Sequence, residues 1–183
     1  MRGIETKMEY KVINEENLKD EVVEINESKA RAILFFDNNI LVAKYGGLYL
    51  FPGGKIDTFE DEYSAIIREL EEETGIVYDS IELEPLLLLD FYQKNYPTRN
   101  GNVKNRRIKT YYFSGAYKGI DLSKIKRTEK EKKDNFSLEL INIEDLYKKI
   151  EFLSDNPRNI YFNTEIKEVL DYLNHSYSKL KMK

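Results

Sequence analysis

The chain has 183 residues, 41% of them hydrophobic and 34% charged, with a formal net charge of −4. This length and apolar fraction suit one domain with a sizeable core, and the acidic balance argues against a general nucleic-acid coat while leaving room for a local basic patch. The absence of cysteine excludes disulfide frameworks, thiolate zinc sites and cysteine nucleophiles, and the single histidine, His175, counts against histidine-based zinc sites and Ser-His triads. Catalysis would fall to carboxylates, Lys, Arg, Tyr, Ser or Thr, with a hard metal as companion. The longest apolar run, LLLL at Leu86 to Leu89, is far short of the roughly 18 to 20 residues a membrane span needs. The N-terminus MRGIETKMEY has no apolar signal core. A soluble, cytoplasmic protein with no membrane partner is expected.

In chain order, residues 1–29 are polar and mixed, with YKVI and EVVEI each readable as a short strand. RAILFF and ILVAKY read as two strands joined by the turn residues Asp37, Asn38 and Asn39. Gly46 and Gly47 break the second strand, LYLF follows as an extended piece, and Pro52-Gly53-Gly54 stops it. A helix is predicted from about Phe59 to Thr74, with Thr58 as N-cap and Asp61 as its capping-box partner. Glu60, Asp61 and Glu62 would then lie in the first turn, where the helix dipole favours negative charge. Gly75 stands where a left-handed C-cap belongs, and Tyr63, Ile66, Ile67 and Leu70 form an apolar stripe at i, i+3, i+4 and i+7. IELEPLLLLDFY reads as one or two strands interrupted by Pro85, and KTYYFSGAY as a further strand. Between them, Gln93 to Lys109 is expected to be a polar loop or hairpin tip. RTEKEKKDN reads as a charged loop, FSLELI as a strand and IEDLYKKIEFL as a short helix. Asn156-Pro157 breaks the chain before an amphipathic helix over Thr164 to Tyr177. Intermixed strands and helices suggest a sheet covered on both faces.

The predicted first helix carries an unusual charge load. Between Gly54 and Gly75 there are eight acidic side chains and two basic ones. At about 100° per residue, Glu69, Glu72 and Glu73 fall within roughly 100° of one another, while Glu71 points the other way. This arc borders the apolar stripe, so the three carboxylates can converge. Such an oxygen cluster suits Mg²⁺; equally, an acidic cluster can be a solvated helix face. Arg68, four residues before Glu72, could hold a carboxylate in place. The glycines before the helix would let backbone amides and carbonyls approach a phosphate or a metal.

The spacing Gly54, Glu60, Arg68, Glu69, Leu70, Glu72, Glu73, Gly75 and Ile76 fits every defined position of the Nudix box, G-x5-E-x7-R-E-U-x-E-E-x-G-U. LYLFPGGKI resembles the aromatic-x-x-Pro-Gly-Gly lead into that box, with Tyr49 in the aromatic place, and RAILFFDNNILVAKY is similar to the paired strands before it. The convincing resemblance, to the MutT-like Nudix hydrolase family, covers roughly residues 30–78. It implies an α+β fold, an α/β/α sandwich with a mixed β-sheet, and hydrolysis of a nucleoside diphosphate linked to a further moiety. It also implies a divalent metal, Mg²⁺ or Mn²⁺. By position, Glu72 and Glu73 would be metal ligands, Glu69 a ligand or general base, and the Gly53 carbonyl a further ligand. Arg68 would orient the glutamates, and Glu60 would act behind them or structurally. The resemblance is compatible with a composition lacking nucleophilic Cys or His, because metal-assisted attack by water on a pyrophosphate needs neither.

Many members of that family carry a further acid downstream of the box; Glu129 and Glu131 are the candidates, against the reading of a solvated charged loop. Arg99, Arg106 and Arg107, with Tyr92 and Tyr96 beside them, could contact phosphates or a base, against the reading of a soluble hairpin tip, and Tyr49 is a fourth candidate for substrate contact. Alternation puts Tyr111 and Phe113 on one face and Tyr112 on the other, so one tyrosine could line a base pocket. The expected organisation is an N-terminal extension over residues 1–29, a Nudix domain over 30–150, and a C-terminal helix over 151–183 packed on it. The expected partner is a nucleotide or nucleoside-diphosphate derivative; an RNA 5′ end and a homodimer stay open. The competing function is a Nudix-like module that senses a nucleotide without cleaving it.

Overall fold

The computed structural model describes residues 8–45, 47–76, 81–117, 119, 136–151 and 157–181. Strands β1 (Glu9–Ile13), β2 (Ile25–Phe36), β3 (Asn39–Tyr45), β4 (Leu48–Leu50) and β5 (Gly53–Lys55) precede helix α1 (Glu62–Thr74). Strands β6 (Glu84–Pro97), β7 (Val103–Ala116) and β8 (Ser137–Asn142) follow, then helices α2 (Ile143–Glu151) and α3 (Pro157–Lys181). The sheet runs in the order β1-β6-β7-β2-β3-β4, with β5 paired to β2 and β8 to β3. It is mixed: β1 lies parallel to β6 and β2 parallel to β7, whereas β2–β3, β2–β5, β3–β4, β3–β8 and β6–β7 are antiparallel.

Alternation along β2 builds two cores, because successive side chains point to opposite faces. Ala30, Ala32 and Leu34 join Leu41 and Phe113 under Ala65, Ile66 and Leu70 of α1. The two alanines keep that face shallow, so the helix can sit close to the strand. On the other face, Ile33 packs with Val42, Leu87, Leu89 and Tyr112 beneath Leu146 and Ile150 of α2 and Ile166, Val169, Leu170 and Leu173 of α3. The result is the expected α/β/α sandwich, and it carries α1 on one face with α2 and α3 on the other. Tyr111 and Phe113 lie on the α1 side and Tyr112 on the opposite one.

Five local readings are corrected. Helix α1 starts at Glu62, and its N-cap is Asp61, whose carboxylate accepts from the Ser64 amide at 2.8 Å. Thr58 is not the cap because Phe59 takes a left-handed φ of 72°, so the chain turns once more before the helix begins; Glu60 therefore precedes the first turn. The second correction is that Gly53–Lys55 is a strand, not only a stop, since β2 offers it a free edge at Lys29–Arg31. The Gln93–Lys109 segment is mostly strand, with the reversal confined to Thr98–Asn102. Its charges are tolerated because they pair across strands, as Arg107 does with Asp90 at 2.7 Å. Of the two N-terminal strand readings, YKVI lies in β1, but Asp20–Val22 is a turn of 3₁₀ helix. The last helix starts at Pro157, seven residues earlier than Thr164, because proline fits a first helical position that needs no amide donor. Among the described residues no helix is long and apolar enough to cross a membrane.

Candidate active site

Helix α1 leaves the sheet face with its acidic side against the β5 segment, and Arg68 organises that side. Its Nε and Nη2 donate to the two Glu60 carboxylate oxygens, each at 2.9 Å, in a fork that matches a carboxylate edge. Nη1 donates to Glu69 Oε1 at 2.8 Å, Nη2 also reaches the Lys55 carbonyl at 3.1 Å, and Glu72 stands 3.7 Å from Nη1. The hydrogen bond from Arg68 holds the Glu60 carboxyl below its ordinary range, and Glu60 in turn raises the Arg68 guanidinium. Glu60 is thus tied to Arg68 on the loop side, away from the helix's own first turn.

Glu69 behaves differently. Burial pushes its carboxyl above the ordinary glutamate value; Arg68 opposes this, and the neighbouring charge of Glu72 adds to it. The carboxyl lies flush against Gly54, where a Cβ would meet its three terminal atoms at 2.4 to 2.7 Å. Any side chain at this position would expel it. Glu73 Oε2 accepts from the Gly53 amide at 2.9 Å. Gly53 itself, at φ 130°, lies so close to β2 that a Cβ would stand 2.2 Å from the Ala30 carbonyl oxygen. Gly75 closes the helix in the left-handed region, its amide donating to the Glu71 carbonyl.

The expected convergence is corrected in one respect. Glu69, Glu72 and Glu73 share one side of α1, but among the described residues no three acidic side chains stand close enough together to hold a metal ion. The reason is that Arg68 and the Gly53 amide engage two of them. The donor set still fits a hard divalent cation: three carboxylates and the Gly53 carbonyl supply oxygen alone. The like-charge pressure of Glu72 on Glu69 is also what a dication would relieve.

The remaining candidates are dispersed. Tyr49 is buried in the α2–α3 core, its ring covered by Lys44 and Lys149 at 5.7 and 5.3 Å. Arg99 is exposed on the β6–β7 turn. Arg107 lies on the α1 side, forked onto Asp90 and stacked over Tyr92. Arg106 lies on the opposite side, buried, paired with Glu27 and stacked 4.2 Å from the Tyr96 ring centre. Its Nε makes no hydrogen bond, nor does Oε1 of the facing, buried Gln93. Tyr111 borders a cleft of about 450 Å³ on the α1 side, with Tyr10, Glu62, Tyr63 and Phe113. Glu129 and Glu131 lie outside the described residues.

Three charged side chains that sequence reasoning passed over lie beneath this site. Arg31 of β2 and Glu165 of α3 are both buried, and Lys29 is lowered to about 8, by burial first and by Arg31 next. Lys29 and Arg31 were legible only as charges alternating into an apolar strand, KARAIL, and Glu165 only as one acid among several in the amphipathic stretch TEIKEVL.

The NUDIX domain model matches residues 26–162. The chain belongs to the NUDIX family. It is 35% identical over 69 residues to an 8-oxo-dGTP diphosphatase of Proteus vulgaris, a match covering 34% of this chain and 57% of that protein. It is 47% identical over 49 residues to an 8-oxo-dGTP diphosphatase of Haemophilus influenzae, covering 27% of this chain and 32% of the relative. The chain thus spans about half or less of the length of these relatives. A solved structure, a NUDIX hydrolase from Nitrosomonas europaea, superposes with a TM-score of 0.51 at 17% identity, covering 78% of this chain and 89% of that one. At that identity the likeness speaks for the NUDIX fold alone.

Proposed function

We propose that this NUDIX protein hydrolyses a pyrophosphate bond in a nucleoside diphosphate derivative, with a divalent cation, Mg²⁺ or Mn²⁺, as cofactor. The observation that carries the reading is the Arg68 hub. One guanidinium grips Glu60 by both oxygens and Glu69 by one, so the unpaired Glu69 Oε2 is left beside Gly54 in a partly desolvated pocket. In this reading Glu72, Glu73 and the Gly53 carbonyl would hold the cation, with Glu69 left as the base through Oε2; the cation when bound neutralises phosphate charge and acidifies a bound water.

The chain's own residues do the rest. Arg68 fixes the Glu69 rotamer and lowers the cost of keeping its carboxylate charged. Glu69 Oε2, in a carboxyl raised by burial, accepts the proton of the attacking water more readily than an exposed glutamate. Glu73, held by the Gly53 amide, locks the helix to β5 so that these groups keep a fixed separation. Arg106 is the best supported of the four substrate-contact candidates, because its buried Nε and the facing Gln93 oxygen lack partners that a polar base edge could supply.

The two relatives make 8-oxo-dGTP the first compound to try, beside ordinary nucleoside triphosphates, nucleotide sugars, ADP-ribose, dinucleoside polyphosphates and capped RNA. The test is release of phosphate or pyrophosphate with Mg²⁺ by the chain and by folded Glu72→Gln and Glu73→Gln variants. Loss on the order of 100-fold or more is expected. Equal rates in parent and variants would refute the mechanism. A nucleotide that raises the melting temperature yet stays uncleaved would move the reading to nucleotide sensing.

A further inference from the structure

We infer that Arg31 and Glu165 form a buried positioning pair that sets the orientation of the Gly53 carbonyl and, through it, the affinity of the site for its divalent cation. The inference rests on the pyrophosphohydrolase reading, in which that carbonyl is a ligand.

Gly53 is gripped from both sides of the sheet. From the α1 side, Glu73 accepts its amide at 2.9 Å. On the other side, Arg31 Nη1 donates to the Phe51 carbonyl and reaches the Gly53 carbonyl at 3.4 Å, while the Ala32 amide donates to the Pro52 carbonyl at 2.9 Å. Three consecutive carbonyls of the Phe51–Gly53 segment therefore take their direction from β2. A Cβ at Gly53 would also stand 2.7 Å from Arg31 Cα, so the segment lies directly on that strand and cannot slide along it. Both contacts come from one nitrogen, Nη1, which the planar guanidinium holds in a fixed direction; a lysine ammonium, as a freely rotating point donor, does not fix that direction.

Arg31 would drift without a counter-charge, and α3 supplies one. Glu165 is 4% exposed, and its Oε1 accepts from the hydroxyls of Tyr112 at 2.7 Å and Thr110 at 3.0 Å. These two bonds aim it at Arg31, whose Nε stands 3.9 Å away. That distance is too long for a hydrogen bond, and Arg31 Nε has no hydrogen-bond partner. The attraction is therefore coulombic: it centres the guanidinium without capturing it, and leaves Nη1 to the carbonyls. A buried pair with an unsatisfied nitrogen is a poor way to stabilise a core, since apolar residues of similar volume commonly do as well or better. Orientation of the Phe51–Gly53 segment accounts for the pair where stability does not.

The experiment measures Mn²⁺ affinity directly, by electron paramagnetic resonance and calorimetry without nucleotide, and kcat and KM against metal concentration beside it. Arg31→Lys keeps the charge without the planar guanidinium, Arg31→Met removes both, and Glu165→Gln keeps an acceptor for the two hydroxyls without the charge. Each is expected to weaken Mn²⁺ binding roughly 10- to 100-fold. Glu168→Gln, on the same helix as Glu165, alters only the surface pair with Lys11 of β1 and is expected to leave it unchanged. If the Arg31 variants do not fold, Tyr112→Phe carries the test, because it removes one hydroxyl from Glu165 with little change of volume and should weaken Mn²⁺ several-fold. Affinity within twofold of the parent in folded variants would overturn the inference. A parent that binds no Mn²⁺ at all would instead overturn the metal reading beneath it.

Discussion

Replacing Arg68 by methionine keeps the aliphatic stem and deletes the guanidinium, and the structure sets the size of the effect. Four hydrogen bonds disappear, two to Glu60, one to Glu69 and one to the Lys55 carbonyl. A wholly exposed ion pair contributes about 0 to 1 kcal/mol, and breaking a buried one costs about 3 to 5 kcal/mol. With side-chain exposures of 30% for Arg68, 17% for Glu60 and 16% for Glu69, the expected loss lies between these limits, at about 2 to 3 kcal/mol. The sign with pH follows from the two carboxyls. Glu60 is held below its ordinary value of 4.5, so its share of stability is present above that value and is lost as pH falls through the depressed one. Glu69 is raised, so its charged form costs stability above the raised value, and Arg68 reduces that cost. The penalty of Arg68→Met is therefore greatest near neutral pH and narrows below the glutamate range. Urea melts of parent and variant across pH measure it. A penalty under about 1 kcal/mol at neutral pH, or one equal at neutral and acid pH, would refute the account of Arg68 as an ionic clamp.

Gly54→Ala and Gly53→Ala should part company. The first meets only the movable end of Glu69, so it is expected to lower hydrolysis by roughly 100-fold through misplacement of that carboxylate, with little change in melting temperature. The second meets the backbone of β2 at a positive φ and is expected to cost several kcal/mol in denaturant melts, about 3 or more. Phe59→Gly should stabilise the chain by about 1 kcal/mol in thermal melts, because the wild-type ring is fully exposed and its φ is 72°. Lys29 falls from 10.5 to about 8 on folding. The unfolded chain thus keeps a proton that the native chain sheds between those values, and stability rises with pH there, by up to roughly 3 kcal/mol. Lys29→Met should flatten that rise, measured below pH 10 so that tyrosine ionisation does not intervene.

The helix that carries the site shows where sequence reasoning succeeds. Fixed spacings within one short segment place Arg68 beside Glu69 and Glu72 and put Gly75 at the C-cap, because a helix repeats its geometry every 3.6 residues. The same logic, with period two, separates Tyr111 and Phe113 from Tyr112. The start of the helix escaped it. A capping box at Thr58 and a cap at Asp61 are both sound local solutions, and the left-handed turn at Phe59 decides between them.

What the sequence by itself determined is which side of the first helix carries Glu69, Glu72 and Glu73, with Gly75 at its end, and a sheet covered by helices on both faces, since these follow from local periodicity and from residue types at set intervals. The tertiary structure alone decided that Glu73 is tied to the Gly53 amide, that Arg106 and Arg107 serve opposite faces, and that Arg31 meets Glu165 beneath the Phe51–Gly53 segment. Strand β1 likewise found its place beside β6 only in the folded sheet. The physical reason is the same in each case. A charge inside an apolar strand has no local partner, and the groups that make its burial affordable come from elements far along the chain, brought near only when the sheet and its helices close.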